Sequence, residues 1–275
     1  MRPDFARLYI LHIASGIYNK NDRTDNMATQ KIAIMGDAHA NPRALKEAIA
    51  DAKKLGCGKF WFLGDLTGYG YDVKECLRIV RKNFEVVLLG NHDAVCSERF
   101  PLGMGNPNYH QDRLQARQLS EEDLEYLRGL PLVWTDGDIA CVHGDFLNPR
   151  VFQYILNDGD ACDNRFARDE RILFCAHLHL ASVWEIEADA TVSRLTESCT
   201  RQVLEPESFT YCLKPDNHYV INCGSVGYPR LERAIVYAIY DQSAQSVSIR
   251  RLPFDRETYK RDMTLAGLGI PVWLD

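Results

Sequence analysis

From Lys31 onward, short apolar runs alternate with segments of helical period, and run after run closes on glycine followed by Asp, Asn or His. Lys31-Ile-Ala-Ile-Met35 ends in Gly36-Asp37. Asn41-Pro42 then supplies a helix cap with proline at the first helical position, and Leu45, Ala48, Ile49 and Ala52 follow at helical spacing. A second run, Lys59-Phe-Trp-Phe-Leu63, ends in Gly64-Asp65, and helical spacing returns through Val73, Cys76, Leu77 and Val80. A third, Phe84 to Leu89, ends in Gly90-Asn91-His92-Asp93. This βαβαβ order predicts a parallel sheet with covering helices.

The pattern continues more loosely. Residues 94–118 read as a loop with a helix near its end, and Ser120-Glu-Glu-Asp123 resembles a capping box opening a helix to about Arg128. Asp138 to Val142 leads into His143-Gly144-Asp145, a helix is expected after Asn148-Pro149, and Arg171 to Cys175 leads into Ala176-His177-Leu178-His179. Beyond this the period shortens. Runs at 182–186, 209–213, 219–222, 234–240 and 246–252 read as strands of a second sheet packed on the first, before a final helix at about 257–263.

Composition is ordinary for a globular chain of 275 residues: 46% hydrophobic and 25% charged. The net charge of −6 argues against a nucleic-acid surface, which needs a basic patch. No apolar run is long enough to form a membrane-spanning helix. The nine cysteines are odd in number and contain no C-x-x-C pair, which excludes zinc-ribbon and thioredoxin spacings. A reducing, cytoplasmic location is expected. Residues 1–26, with Arg2, Arg7 and an apolar patch at 8–14, read as an N-terminal extension outside a single domain at 27–275. A feeble signal peptide is the other reading of that segment.

Asp37, His39, Asp65, Asn91, His92, His143, His177 and His179 thus fall just beyond strand ends, the edge of an open α/β sheet where loops converge on ligands. Their oxygens and imidazole nitrogens suit Mn, Fe, Zn, Ni or similar ions. Singly, each has a plain structural explanation, since a strand-end Asp often caps a helix. The ordered set points to metal-assisted chemistry.

Together, Gly36-Asp37-Ala-His39-Ala-Asn41, Gly64-Asp65, Gly90-Asn91-His92-Asp93, Val142-His143-Gly144 and His177-x-His179 resemble the five motifs of the calcineurin-like metallophosphoesterases. Gly64-Asp-Leu-Thr-Gly-Tyr-Gly70 and Asn222-Cys-Gly-Ser-Val-Gly-Tyr-Pro-Arg230 point to the small bacterial and archaeal phosphodiesterase branch. The resemblance implies a four-layer α/β/β/α sandwich with two mixed sheets. It also implies two divalent cations, Mn²⁺ foremost. One would be held by Asp37, His39, Asp65 and His179, the other by Asp65, Asn91, His143 and His177. Asp65 would then bridge them, beside a shared hydroxide that attacks phosphorus, with His92 stabilising charge or protonating the leaving oxygen. Asn41 and Arg230 are candidates for contacting the phosphate, and Arg99 and Tyr109 for shaping a pocket.

Two departures stand out. Ala176 replaces the usual glycine of the last motif. Gly68 stands where protein Ser/Thr phosphatases carry an Asp that supports the His of the third motif, which puts a protein-phosphatase role in doubt. The expected substrate is a small phosphodiester or nucleotide. A phosphomonoesterase, a nuclease and a catalytically silent scaffold are the alternatives, the last weakened because every ligand position and His92 are retained.

Overall fold

A computed structural model describes residues 31–100, 109–188, 200–203, 207–230 and 232–274. The expected extension at 1–26 and the side chain of Tyr109 lie outside the described residues. In chain order the elements begin β1 (Lys31–Met35), α1 (Pro42–Lys54), β2 (Cys57–Phe62), α2 (Val73–Asn83), β3 (Val86–Val87), α3 (Asn91–Cys96), α4 (Tyr109–Ala116) and α5 (Glu121–Gly129). Then come β4 (Val133–Asp136), β5 (Ile139–Val142), α6 (Asp158–Phe166), β6 (Ile172–Cys175) and β7 (Ser182–Ile186). The chain continues through β8 (Thr200–Val203), β9 (Phe209–Cys212), β10 (His218–Asn222), β11 (Ala234–Asp241), β12 (Ser246–Pro253) and α7 (Arg256–Leu265).

Two six-stranded sheets result, ordered β3-β2-β1-β11-β12-β9 and β4-β5-β6-β10-β7-β8. In the first, β1, β2 and β3 run parallel, and β11 joins β1 antiparallel. In the second, β5, β6 and β10 run parallel. Strand alternation explains why the sheets must stack. Ala33, Met35, Phe60 and Phe62 face α1 and α2, while Ile32, Ile34, Trp61 and Leu63 face the other sheet. There they meet Ile139, Cys141, Ile172, Phe174, Tyr219 and Ile221, and the alternate residues Ala140, Val142, Leu173 and Val220 pack on α6. Three buried layers separate four structural ones, the α/β/β/α sandwich with mixed sheets. Seven of the eight cysteines among the described residues are buried, where a thiol packs as a small hydrophobe.

Several local expectations shift. The strands after residue 182 do not build the second sheet alone: β9, β11 and β12 extend the first. β3 shrinks to two residues because Leu89 N–H turns away to donate to the Pro131 carbonyl (2.9 Å). The strand-end motif at Asn91–Asp93 and the start of the loop expected from Ala94 together form a helix, α3. No helix follows Pro149; residues 144–156 run irregularly, and α6 starts only at Asp158, capped by Asn157. The strands β4 and β8 were not expected at all.

Candidate metal centre

The parallel strands of both sheets end on one edge, and the loops leaving β1, β2, β3, β5 and β6 meet there. They bring together Asp37, His39, Asp65, His143, His177 and His179, all buried. Three sets of ligand atoms lie close together: Asp37 with His39 and His179, Asp65 with His143 and His177, and His39 with Asp65 and His92, the last sharing Asp65 and a ring with the other two. Asp65 lies between the first two, its Oδ2 being 3.7 Å from His39 Nε2 and 3.3 Å from His143 Nε2. Asn91 joins the second group, its Oδ1 lying 3.2 Å from His143 Nε2.

Hydrogen bonding outside the cluster fixes which ring nitrogens face inward. His39 Nδ1 lies 2.8 Å from the Thr67 carbonyl, His179 Nδ1 2.9 Å from the Tyr228 carbonyl, and His143 Nδ1 2.7 Å from the Leu63 carbonyl. A carbonyl only accepts, so each Nδ1 carries the proton and donates it. When the rings are neutral, every Nε2 then presents a lone pair inward. His39 Nε2 and His179 Nε2 are only 3.0 Å apart, and both approach Asp37 Oδ1, at 3.7 and 3.1 Å. No donor is aligned to that buried oxygen. Lone pairs this close repel unless a proton or a cation sits among them, so the donor set fits divalent metal ions. A backbone carbonyl accepting from Nδ1 is the usual way a metal-ligating imidazole is oriented.

The electrostatics agree. Burial opposes ionisation of Asp65, but the neighbouring His143, His92 and His39 outweigh it and hold the carboxyl well below its usual range. Burial pushes His39 well below the ordinary imidazole value and His177 down to about 3, keeping both rings neutral and able to ligate. His143 goes the other way: burial is overcome by Asp65 and the pKa rises to about 9, so a proton fills its place until a cation displaces it.

The backbone is bent to make this convergence. Asp37, His39, Asp65, His177 and His179 all have φ between 44° and 67°, a left-handed conformation that costs a non-glycine residue on the order of 1 kcal/mol or more. Cross-bracing holds them. Asp93 accepts from the amides of Asp65 (2.8 Å), Thr67 (2.9 Å) and Gly90 (3.1 Å), pinning the Asp65 loop. Gly90 passes so close that a Cβ there would sit 2.1 Å from Asp65 Oδ1. The segment after β10 does the same for the first group. Gly227 N–H donates to Asp37 O, Ser225 Oγ donates to Asp37 O, and Asn222 Nδ2 donates to Ala176 O. The Ala176 departure is accommodated because its methyl faces Gly36, where a Cβ would lie 2.9 Å away.

His92, at the start of α3, faces the same opening, its ring 4.9 Å from that of His39. Its Nδ1 is 2.9 and 3.0 Å from the two carboxylate oxygens of Asp112, which is buried on α4. Burial would depress the His92 imidazole, but Asp65 and Asp112 raise it to about 9. The adjacent Asp93 braces the Asp65 loop instead, and it is Asp112 that lies beside His92. Asp112 was missed because α4 lies twenty residues further on and carries no motif. Gly68 is the remaining signal: a Cβ there would come within 2.5 Å of His92 Nδ1, so the ring fits only with a glycine at 68. Gln115 and Gln111, also on α4, bond the backbone of residues 68–70.

Of the phosphate candidates, Asn41 belongs to the frame. Its Oδ1 accepts from Ala44 N–H and its Nδ2 donates to Gly227 O, with the side chain buried. Arg230 is part-exposed, and its charge acts on the nearby Tyr69 and Tyr228 hydroxyls. Arg99 is turned into the scaffold, donating to the Leu130 carbonyl and lying over the Phe100 ring. An aromatic wall surrounds the opening: Tyr69 stacks on Tyr228 at 4.1 Å and meets His39 and His92 at 4.7 Å, and Tyr154 stacks on His177 at 4.2 Å.

This arrangement matches what comparison with known proteins finds. An uncharacterized protein of Methanocaldococcus jannaschii is 27% identical over 256 residues, 90% of this chain and 97% of its own length. A metallophosphoesterase of known structure from Sphaerobacter thermophilus is 32% identical, with a TM-score of 0.75 over 90% of this chain and 96% of its own. A symmetrical bis(5'-nucleosyl)-tetraphosphatase of Aromatoleum aromaticum is 32% identical over 93 residues, 32% of this chain and 34% of its own length. The family model for calcineurin-like phosphoesterases matches residues 30–212, which spans the loops carrying all the candidate ligands, and the chain belongs to that family.

Proposed function

We propose that the protein hydrolyses small phosphodiesters or nucleotides at a pair of divalent cations, Mn²⁺ foremost. The observation that carries this reading is the convergence of inward-facing lone pairs into two groups with Asp65 between them. Asp37, His39, Asp65 and His179 would hold one cation, and Asp65, Asn91, His143 and His177 the other. Such a pair supplies the positive charge that activates water at neutral pH and neutralises phosphoryl oxygens.

The remaining roles fall to side chains. His92, with Nδ1 held on Asp112, presents its other nitrogen to the opening and gives a proton to the leaving oxygen. Arg230 meets a phosphate oxygen through its guanidinium fork. Gly68, lying against His92, sets the site apart from the protein Ser/Thr phosphatase pattern, and the aromatic wall favours a small organic phosphoester over a protein substrate. The relationship to a bis(5'-nucleosyl)-tetraphosphatase supports nucleotides among those esters. We place the protein in the cytoplasm, acting without membrane or nucleic-acid partners, in line with its acidic charge and its largely buried cysteines.

Hydrolysis of bis-p-nitrophenyl phosphate with Mn²⁺ tests this. Wild-type protein turns it over and Asp65→Asn loses both metal and turnover, while His92→Ala keeps its metal and falls about 10²- to 10⁴-fold on a diester with a poor leaving group, where a proton must be supplied. Full activity in Asp65→Asn contradicts the bridging role, and undiminished turnover of the poor-leaving-group diester in His92→Ala removes the acid role alone.

A further inference from the structure

Four large apolar side chains stand exposed within ten residues of the irregular segment that follows His143: Leu147 (57%), Val151 (50%), Tyr154 (44%) and Leu156 (57%). Only eleven large hydrophobics are exposed among the described residues, so this segment concentrates them. An exposed apolar lip of this kind beside a polar centre is a recurrent mark of ligand contact.

Tyr154 is the member tied to the centre. Its ring lies parallel to His177, with 4.2 Å between centroids and 10° between planes, while His177 itself is buried. One face of the phenol therefore covers a candidate metal ligand. Its neighbours hold it firmly: Phe152 and Ile155 are buried, Phe152 with its ring 5.8 Å from that of His143, and Ile155 in the layer under α6. A half-exposed ring on such a base is a rigid platform. Tyr69, stacked on Tyr228 and set against the His39 and His92 rings, borders the same centre.

We propose that Tyr154 forms the floor of a subsite for the flat heterocyclic base of a nucleotide whose phosphate sits among Asp37, Asp65 and the clustered histidines. This inference rests on the phosphoesterase reading above and adds to it the chemical class of the organic group. A planar base matches a parallel ring face, and stacking of this kind is sequence-tolerant because every base has a π-face. Leu147, Val151 and Leu156 lie on the same short stretch of chain and give the lip its apolar character.

The test is equilibrium binding to the Mn²⁺-loaded protein of three non-hydrolysable phosphonates: the analogues of AMP, of ribose 5-phosphate, and of octyl phosphate. The AMP analogue should bind about 5- to 150-fold more tightly than the ribose analogue, the range expected for one base–aromatic stack. Tyr154→Ala and Tyr154→Leu should each remove most of that gap, and Tyr154→Trp should keep it. None of the three should alter affinity for the ribose analogue or the Mn²⁺ bound per chain. Equal wild-type affinity for the AMP and ribose analogues overturns the subsite. So does a loss in Tyr154→Ala shared equally by both, which would mean that the ring only shields His177. If octyl phosphonate gains as much from Tyr154 as the AMP analogue does, the face is generically apolar and the heterocycle assignment fails. Base-dependent binding without any hydrolysis would instead contradict the proposed function and leave the subsite standing.

Discussion

His92 and Asp112 show how much one buried contact can decide. A ring held at 2.9 and 3.0 Å by both oxygens of a buried carboxylate has one tautomer and one orientation. Asp112→Asn can still accept the Nδ1 proton but supplies no charge, so turnover of a poor-leaving-group diester should drop by about tenfold or more, with a smaller loss on a good leaving group. Metal content should stay at the wild-type level. In a His92→Ala background the same substitution should cost nothing further, since residues acting as a unit are non-additive. Additive losses in the double variant would show that Asp112 acts elsewhere. Gly68 belongs to the same contact. At φ of 91°, with a Cβ destined to lie 2.5 Å from His92 Nδ1 and 3.1 Å from His39 Nδ1, Gly68→Ala must displace the His92 ring and press on His39, and should cost at least the activity lost in His92→Ala, with weaker metal binding besides.

Elements differ in how plainly the sequence announces them. α1 was readable to its first residue because Asn41-Pro42 is both a cap and a fixed φ, and its apolar positions recur at helical spacing. Asn41→Ala should therefore destabilise the fold by about 1 kcal/mol, plus whatever its bond to Gly227 contributes, as read by urea denaturation; an unchanged midpoint would deny it the framing role. α3 was hidden because six residues carry too little periodicity, and its start coincides with a motif that draws attention to ligands. The 144–156 segment was misread because Asn148-Pro149 resembles a helix start, yet buried Phe152 in a left-handed conformation, with its Cα against Gly144, holds the chain in an open course. The Asn222–Arg230 stretch was legible as a family marker. Its work of bracing the Asp37 and His177 loops was not, because backbone carbonyls leave no trace in sequence. The ligand loops were the most legible part, for the opposite reason: Asp, His and Asn at strand ends are chemistry written in side chains.

At the scale of the whole molecule, two sheets whose parallel strands finish on one edge bring the loops after β1, β2, β3, β5 and β6 to a single rim; the rim was legible from the strand ends, but the division of the later strands between the two sheets was not. Strands β9, β11 and β12 look like β7 and β10 in sequence; which sheet each joins is settled by tertiary packing. Because the candidate ligands come from both sheets, metal should clamp them together. Saturating Mn²⁺ at about 100 times its Kd should stabilise the fold by about 2.7 kcal/mol per site, a rise in Tm of several degrees that Asp65→Asn should abolish. Acid should act through a different residue, His218, at the start of β10. Burial, together with Arg165 and Arg171, lowers its pKa from 6.5 to about 4, and Arg165 donates to its Nε2 at 2.7 Å. The folded state therefore favours the neutral ring. That contribution is complete above pH 6.5 and is lost as pH falls towards 4, when the unfolded chain binds the proton first. Measured between pH 7 and 5, wild type should lose more Tm than His218→Gln; parallel losses would exclude this histidine. The most direct test of the central claim is the rate of phosphodiester hydrolysis titrated against Mn²⁺ bound per chain. The rate should be negligible in metal-free protein and should saturate as the second equivalent binds. Saturation at one equivalent, or a rate indifferent to metal, would contradict a two-cation centre shared by Asp65.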